Sequence, residues 1–238
     1  MTLNARIETW LAASHASCRF ASRPFVTLCY AQGWDGSIAV QPGSTLALSN
    51  AQSCRLTHQL RSLHDGILVG IGTVLADDPQ LTVRHWTGAS PQAIVLDSRA
   101  RLPRAARLCQ HERPCWVLTT VAGAAREGAE FLQVAADHEG HVALPAALER
   151  LYQRGIRHLM VEGGANVITA FLRAALADAL VLTIAPMLVG GYKAVGELGC
   201  HGRAQLPRIA PLQSERLGDD MIVWGRLHYS EKAGEDTA

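Results

Sequence analysis

The segment His158-Leu-Met-Val-Glu-Gly-Gly-Ala-Asn-Val runs an apolar strand into a double glycine and straight into a helical pattern. Glycines at such a turn let a phosphate-bearing ligand approach the backbone, and the unpaired N–H groups and dipole of the helix start favour an anion. A dinucleotide pyrophosphate fits Gly163 and Gly164 on these grounds; two glycines making a tight turn are the alternative. Glu162 stands at the carboxyl end of that strand, where open α/β sheets place ligand-contacting side chains. Its carboxylate can accept hydrogen bonds from the amino and ring N–H groups of a heterocycle, or simply cap the following turn.

A second cluster is Leu68-Val-Gly-Ile-Gly-Thr-Val-Leu-Ala-Asp-Asp-Pro-Gln-Leu-Thr-Val-Arg. Gly70 and Gly72 are a near miss to the dinucleotide fingerprint, a weak signal by itself. Thr73, Asp77, Asp78 and Arg84 follow a buried strand at the density of polar groups that functional loops show, although Asp78-Pro79 also suits an ordinary turn. Arg61 and Arg84 can together hold a substrate phosphate by charge-assisted hydrogen bonds, or be two solvated arginines. Ser98, with Arg99 or Arg101, follows another buried strand and can receive the 2′-phosphate that distinguishes NADP.

These residues need a scaffold, and strands alternate with helices through most of the chain. Near-continuous apolar runs at 25–30, 66–70, 92–97, 115–120, 157–162, 180–185 and 220–225 read as strands covered on both faces. Helices are predicted over 49–63, capped by Ser49, over 144–154, closed by Gly155, and over 165–175. The last two strands, joined by a loop region, suit antiparallel pairing at one end. The fold expected is α/β, one domain with a mixed, mostly parallel sheet and helices on both faces. Residues 1–22 read as an arm whose Glu8-Thr-Trp-Leu segment can form a short helix, and 229–238 as a polar tail expected to be disordered.

Composition narrows the functional classes. The 238 residues carry a net charge of +1 with no basic block, which removes the electrostatic footprint of a general nucleic-acid binder. The longest apolar runs, 66–76 and 179–191, fall short of the ~20 residues that cross a bilayer, so no membrane partner is expected. Met1 to Trp10 lacks the pattern of a secretory leader, and a cytoplasmic location is the expectation. Six scattered cysteines with no Cys-x-x-Cys pair are expected to be reduced. Neither Cys54 with His58 nor Cys200 with His201 recruits a second pair at ligand spacing, so no metal is expected. P-loop, zincin, α/β-hydrolase elbow and zinc-deaminase signatures are all missing.

Four ordered blocks join these pieces: Arg23-Pro-Phe-Val-Thr-Leu-Cys-Tyr-Ala-Gln-Gly-Trp-Asp-Gly-Ser-Ile-Ala, Gly72-Thr-Val-Leu-Ala-Asp-Asp-Pro-Gln-Leu-Thr-Val-Arg, Val161-Glu-Gly-Gly-Ala and Ile184-Ala-Pro-Met-Leu-Val-Gly-Gly. Over residues 23–226 they resemble the RibD C-terminal domain family, the reductase half of the riboflavin-biosynthesis deaminase-reductase, and dihydrofolate-reductase-like in fold. The resemblance implies a reductase domain over 23–228 that uses NADPH to reduce 5-amino-6-(5-phosphoribosylamino)uracil, or its diaminopyrimidinone relative, to the ribitylamino product. By matching position it implies that Ala31, Thr73, Asp77, Ser98, Arg99, Gly163, Gly164, Ala165, Asn166 and Val167 contact NADPH. It implies that Ser44, Arg61, Leu81, Arg84 and Glu162 contact the phosphorylated pyrimidine, with the two arginines near its phosphate. Asp77 is the candidate to relay a proton or orient groups at the transfer point. The resemblance also implies a homodimer formed through the sheets, the late strands 180–185 and 221–224 being either buried against a partner or part of the core.

Two departures mark this sequence. Many bacterial members carry Lys where Cys29 stands and Trp where Leu46 stands, and a thiol cannot supply an ammonium. The deaminase half has no counterpart in the roughly 22 residues before the matching region, so deamination is expected to belong to another polypeptide or to follow reduction. A relative acting on another pterin-like or pyrimidine substrate, and a silent ligand-binding protein on the same fold, remain as alternatives.

Overall fold

The structure, a computed structural model, describes residues 1–17, 20 and 22–230. In chain order its elements are α1 (Leu3–Ser17), β1 (Phe25–Gly33), β2 (Ser37–Ala39), α2 (Ala51–Ser62), β3 (Gly66–Gly70) and α3 (Ile71–Asp77). There follow β4 (Gln92–Leu96), β5 (Cys115–Thr119), β6 (Ala129–Gln133), α4 (Leu144–Gln153), β7 (His158–Val161) and α5 (Ala165–Arg173). The chain ends with β8 (Ala179–Ala185), β9 (Tyr192–Lys193), β10 (Arg208–Ile209), β11 (Gln213–Leu217) and β12 (Asp220–His228).

The main sheet runs β10-β12-β8-β1-β7-β3-β4-β5-β6, with β11 on the outer side of β12. Pairing from β8 through β6 is parallel, and β12 joins β8 antiparallel with Met221 opposite Ile184. The expected mixed, mostly parallel α/β sheet and its antiparallel end are what the chain forms. Alternation along each strand sorts side chains to the two faces. Val26, Leu28, Leu68, Leu159 and Val161 point to one face, where they meet Leu148 and Leu151 of α4 and Ile168 and Phe171 of α5. Phe25, Cys29 and Met160 point to the other, covered by Leu3, Ile7 and Leu11 of α1 and Leu56 and Leu60 of α2. Farther along this second face, Ile67, Val69 and Val95 pack under Val74, Leu81, Leu102 and Leu108.

Several local expectations change. The segment expected to hold at most a short helix folds as the 15-residue α1, because Leu3, Ile7 and Leu11 recur every fourth residue and bury one stripe. The cap of α2 is Asn50, not Ser49: Asn50 Oδ1 accepts from Gln52 N–H at 2.8 Å and Ser53 N–H at 3.0 Å. The stretch after β3, expected as a loop, begins with the short helix α3, which ends where Asp78 takes a left-handed conformation at φ 40°. Within this chain β8 lies between β1 and β12, and Trp224 is fully buried with Leu3 and Leu56, while Ile184, Met221 and Val223 of the same strands are only half-buried. At the start of the polar tail, Tyr229 donates to the Ala177 carbonyl at 2.9 Å. The rest of that tail from 231, and Cys18, lie outside the described residues.

Candidate active site at the carboxyl edge of the sheet

β7 inserts between β1 and β3, and β8 lies on the far side of β1, so the connections diverge at the carboxyl ends of β1, β7 and β3. Open α/β sheets leave a crevice at such a switch point. Two short helices start there, α3 directly from β3 and α5 three residues after β7.

Of the two glycines, Gly163 is required by space rather than by a turn. Gly164 has φ −72°, which any residue adopts. A Cβ on Gly163 would lie 2.7 Å from Val167 Cβ, and one on Gly70 would lie 2.7 Å from Val167 Cγ2. Val167 therefore packs the starts of α3 and α5 together, and its own N–H is committed to the Gly164 carbonyl at 3.0 Å. It contributes packing here rather than a free donor. A Cβ on Gly164 would reach 3.3 Å from Thr73 Oγ1, so Thr73 stands at the mouth of the α5 start. No side chain caps that helix start, which leaves its first N–H groups, around Ala165 and Asn166, for an anion. Asn166 is exposed, with its Oδ1 accepting from the Tyr192 hydroxyl at 3.2 Å.

On the same connection, at the end of β7, Glu162 forms a bidentate pair with Arg61 of α2, which donates from Nε to Oε2 at 2.9 Å and from Nη2 to Oε1 at 2.6 Å. The solvated alternative does not hold for Arg61, whose side chain is 9% exposed with its Nη1 donating to the Thr82 carbonyl at 3.0 Å, and Glu162 binds Arg61 rather than capping the turn; Arg84 does remain solvated. Burial opposes the charge on Arg61, and the adjacent Glu162 carboxylate more than offsets it, so the guanidinium is held above its ordinary pKa. The β1–β7 register pairs Leu28 with Val161, so its next step sets Cys29 beside Glu162. Burial, and secondarily the Glu162 charge, push the Cys29 thiol above its ordinary range despite Arg61. The side chain at this position is therefore neutral, and Arg61 supplies the cation. Ala31 follows on the same face of β1.

The other expected site residues take distinct places. Leu81 has φ 57° and is buried in the core beneath α3. Arg84 is exposed, and its Nη1 donates only locally, to Thr82 Oγ1 at 2.9 Å, among the described residues. Asp77 ends α3, exposed, and partial burial raises its carboxyl above the ordinary range. Ser98 Oγ accepts from the Val142 N–H at 2.9 Å, while Arg99 beside it is exposed. Arg101 faces the buried Asp97 at 3.8 Å instead. Ser44 closes a local turn with Gln41, to whose carbonyl it donates at 2.8 Å, and Leu46 is half-buried in the same loop.

Sequence reasoning passed over Asp35, which ties a second loop to this edge. Its carboxylate accepts from the Val189 and Gly190 N–H groups and from Lys193 Nζ at 2.8 Å, holding 189–193 where Tyr192 meets Asn166. The signal was the Asp-Gly turn directly after a strand. Among the described residues, no group of three or more His, Cys, Asp or Glu is placed to hold a metal ion, and no helix is long and apolar enough to cross a membrane.

Fold and site together define an α/β protein with an uncapped helix start at the carboxyl edge of its sheet, next to a buried arginine–carboxylate pair. The model of the RibD C-terminal domain family matches residues 24–223, and the chain belongs to that family. A 2,5-diamino-6-ribosylamino-4(3H)-pyrimidinone 5′-phosphate reductase of Archaeoglobus fulgidus is 34% identical over 219 residues, covering 87% of this chain and 99% of the relative. The reductase of that name from Methanothermobacter thermautotrophicus is 38% identical, covering 84% and 97%. The riboflavin biosynthesis protein RibD of Aquifex aeolicus is 33% identical over 85% of this chain, which spans only 57% of that longer protein. Among solved structures, the Saccharomyces cerevisiae riboflavin biosynthesis reductase superposes with a TM-score of 0.75 at 28% identity, covering 93% of this chain and 99% of that one.

Proposed function

We propose that this chain is an NADPH-dependent reductase that converts a phosphorylated ribosylaminopyrimidine to its ribitylamino product in riboflavin biosynthesis. The substrate is 5-amino-6-(5-phosphoribosylamino)uracil or its 2,5-diaminopyrimidinone relative. The observation that carries the reading is the uncapped start of α5, packed against Thr73 at the same sheet edge as the Arg61–Glu162 pair. Archaeal relatives matched over nearly their whole length carry the name of the diaminopyrimidinone reductase.

The residues present fit a nicotinamide dinucleotide. The α5 start and Thr73 would hold its pyrophosphate, and Ser98 with Arg99 the 2′-phosphate that selects NADPH. When bound, NADPH supplies the hydride for C1′ of the opened sugar. Glu162 keeps one lone pair on each oxygen after binding Arg61, so it can still accept from pyrimidine N–H groups. Its rigid pairing fixes where the heterocycle sits, and so helps align the two reacting carbons. Exposed Arg84 is the cation available to the substrate's phosphate. Asp77, whose raised carboxyl holds its proton closer to neutral pH, is the group to retain or deliver a proton at Oδ.

A second reading, a relative acting on another pyrimidine or pterin-like substrate, is favoured by the neutral thiol of Cys29 beside Glu162. The reading also makes the chain a cytoplasmic homodimer. Exposed Trp34, Met187 and Leu188 support association, with Trp34 N–H bonded to the Met187 carbonyl at 2.9 Å so that the three share one surface.

The test mixes purified protein and NADPH with each phosphorylated pyrimidine, deaminated or not, and follows the nicotinamide absorbance. Turnover of one is expected, and it also fixes whether deamination precedes reduction. NADPH binding without turnover of either replaces this reading with the second one or with a silent binder.

A further inference from the structure

His58 has no part in the site as assigned so far. It lies on α2 one turn before Arg61, is 3% exposed, and its Nδ1 accepts from the backbone N–H of Arg84 at 3.0 Å. An imidazole accepting at Nδ1 must be neutral with its proton on Nε2. Its surroundings favour that state: burial first, then the charges of Arg61, Arg84 and His85, lower its pKa to about 4, against a backbone hydrogen bond at Thr82 that raises it. His85 meets the ring edge-on with centroids 4.8 Å apart.

One turn of α2 therefore grips the 82–85 segment at two backbone points. Arg61 Nη1 holds the Thr82 carbonyl, and His58 Nδ1 holds the Arg84 N–H. The Arg84 side chain, carried by the second of these anchors, turns back onto Thr82 Oγ1 and pairs with no carboxylate among the described residues. A single cation on an otherwise irregular exposed segment is poorly aimed, because ordering it costs backbone and side-chain entropy. Two buried anchors on a helix remove that cost in advance of binding.

We propose that His58 is a positioning residue that presents Arg84 to the phosphate monoester of the substrate. The inference rests on the reading of Arg84 given above and assigns a role to a residue that touches neither substrate nor cofactor.

The test compares the wild-type chain with His58→Leu and His58→Asn, since Asn Oδ1 can stand where Nδ1 accepts. Substrates are the phosphorylated ribosylaminopyrimidine and its dephosphorylated ribonucleoside. His58→Leu is expected to raise KM for the phosphorylated substrate about tenfold, with kcat and the KM for NADPH within about twofold, and His58→Asn to recover most of the loss. On the dephosphorylated substrate the three proteins should be alike. Deuterium exchange at the Arg84 amide gives a readout free of substrate, slow in wild type and in His58→Asn and fast in His58→Leu. An unchanged KM in His58→Leu overturns the proposal, as does an equal rise for both pyrimidines or for NADPH. A protected Arg84 amide in a wild-type protein that turns over neither pyrimidine locates the failure in the functional reading, and the role of His58 falls with it.

Discussion

Arg61 and Arg84 differ in kind although the sequence presents them alike. Arg61 is structural as well as chemical: it neutralises Glu162 inside the protein and pins the Thr82 carbonyl. Arg61→Ala should destabilise the fold by about 2–3 kcal/mol, the low side for a broken buried pair because the Glu162 side chain is 25% exposed, read as a lower urea midpoint. Arg84→Ala removes nothing buried and should leave the unfolding free energy within about 0.5 kcal/mol of wild type, and the urea midpoint close to it. It should instead raise KM for the phosphorylated substrate about tenfold or more, through loss of a charge-assisted hydrogen bond. An Arg84→Ala protein with wild-type KM would show that the phosphate sits elsewhere.

At the scale of elements, two helix ends matter most. The start of α5 works because Gly164 leaves room in front of Thr73, so Gly164→Val should weaken NADPH binding at least about tenfold while the melting temperature holds. Undiminished affinity in a titration would remove the pyrophosphate from this helix. The end of α1 is held differently. His15 stacks on His158 with centroids 3.8 Å apart and meets the edges of Phe25 and His64. His64 is fixed neutral, with Nδ1 donating to the Leu60 carbonyl and Nε2 accepting from the Thr27 hydroxyl. Asp65 lies 3.5 Å from His158, and Arg226 approaches from β12. Burial, then His158, His64 and Arg226, lower the pKa of His15 to about 3; burial is also the leading cause that lowers His64 to about 4. Below about pH 6.5 the unfolded chain binds protons that the folded one refuses, so stability falls as pH drops from there toward 4. His15→Phe keeps the stack and removes one titrating ring, so its melting temperature should fall less steeply between pH 7 and 4.5. Parallel slopes for the two proteins would exclude His15 as a source of the acid sensitivity.

For the whole molecule, the carboxyl edge of the sheet carries the candidate site, and the amino edge carries the histidine cluster that docks α1. The dimer proposed above would draw on the exposed surface around Trp34 and Leu188, 58% and 81% exposed, which lies beside the half-buried Ile184 and Met221 of β8 and β12. Sedimentation should give twice the chain mass, and Leu188→Glu should shift it toward one chain; a wild-type mass of one chain removes the dimer.

Read alone, the sequence determined the central strands, because strands buried on both faces are apolar without a break, as β3 is at all five positions. It determined the fold class, and it singled out Glu162, the double glycine and Arg61, because local pattern and residue type suffice for these. It missed α3, seven residues with Gly72 inside, and β11, whose Gln-Ser-Glu-Arg-Leu follows the half-buried alternation of an outer strand. Only the tertiary structure decided the partners: Arg61 and Glu162 lie 101 residues apart, and His58 meets Arg84 across 26. It also decided that Gly163 leaves room for Val167 rather than making a turn, while Gly164 faces Thr73. Such pairings depend on which strand lies beside which, and that is fixed by burial summed over the whole sheet rather than by any local segment.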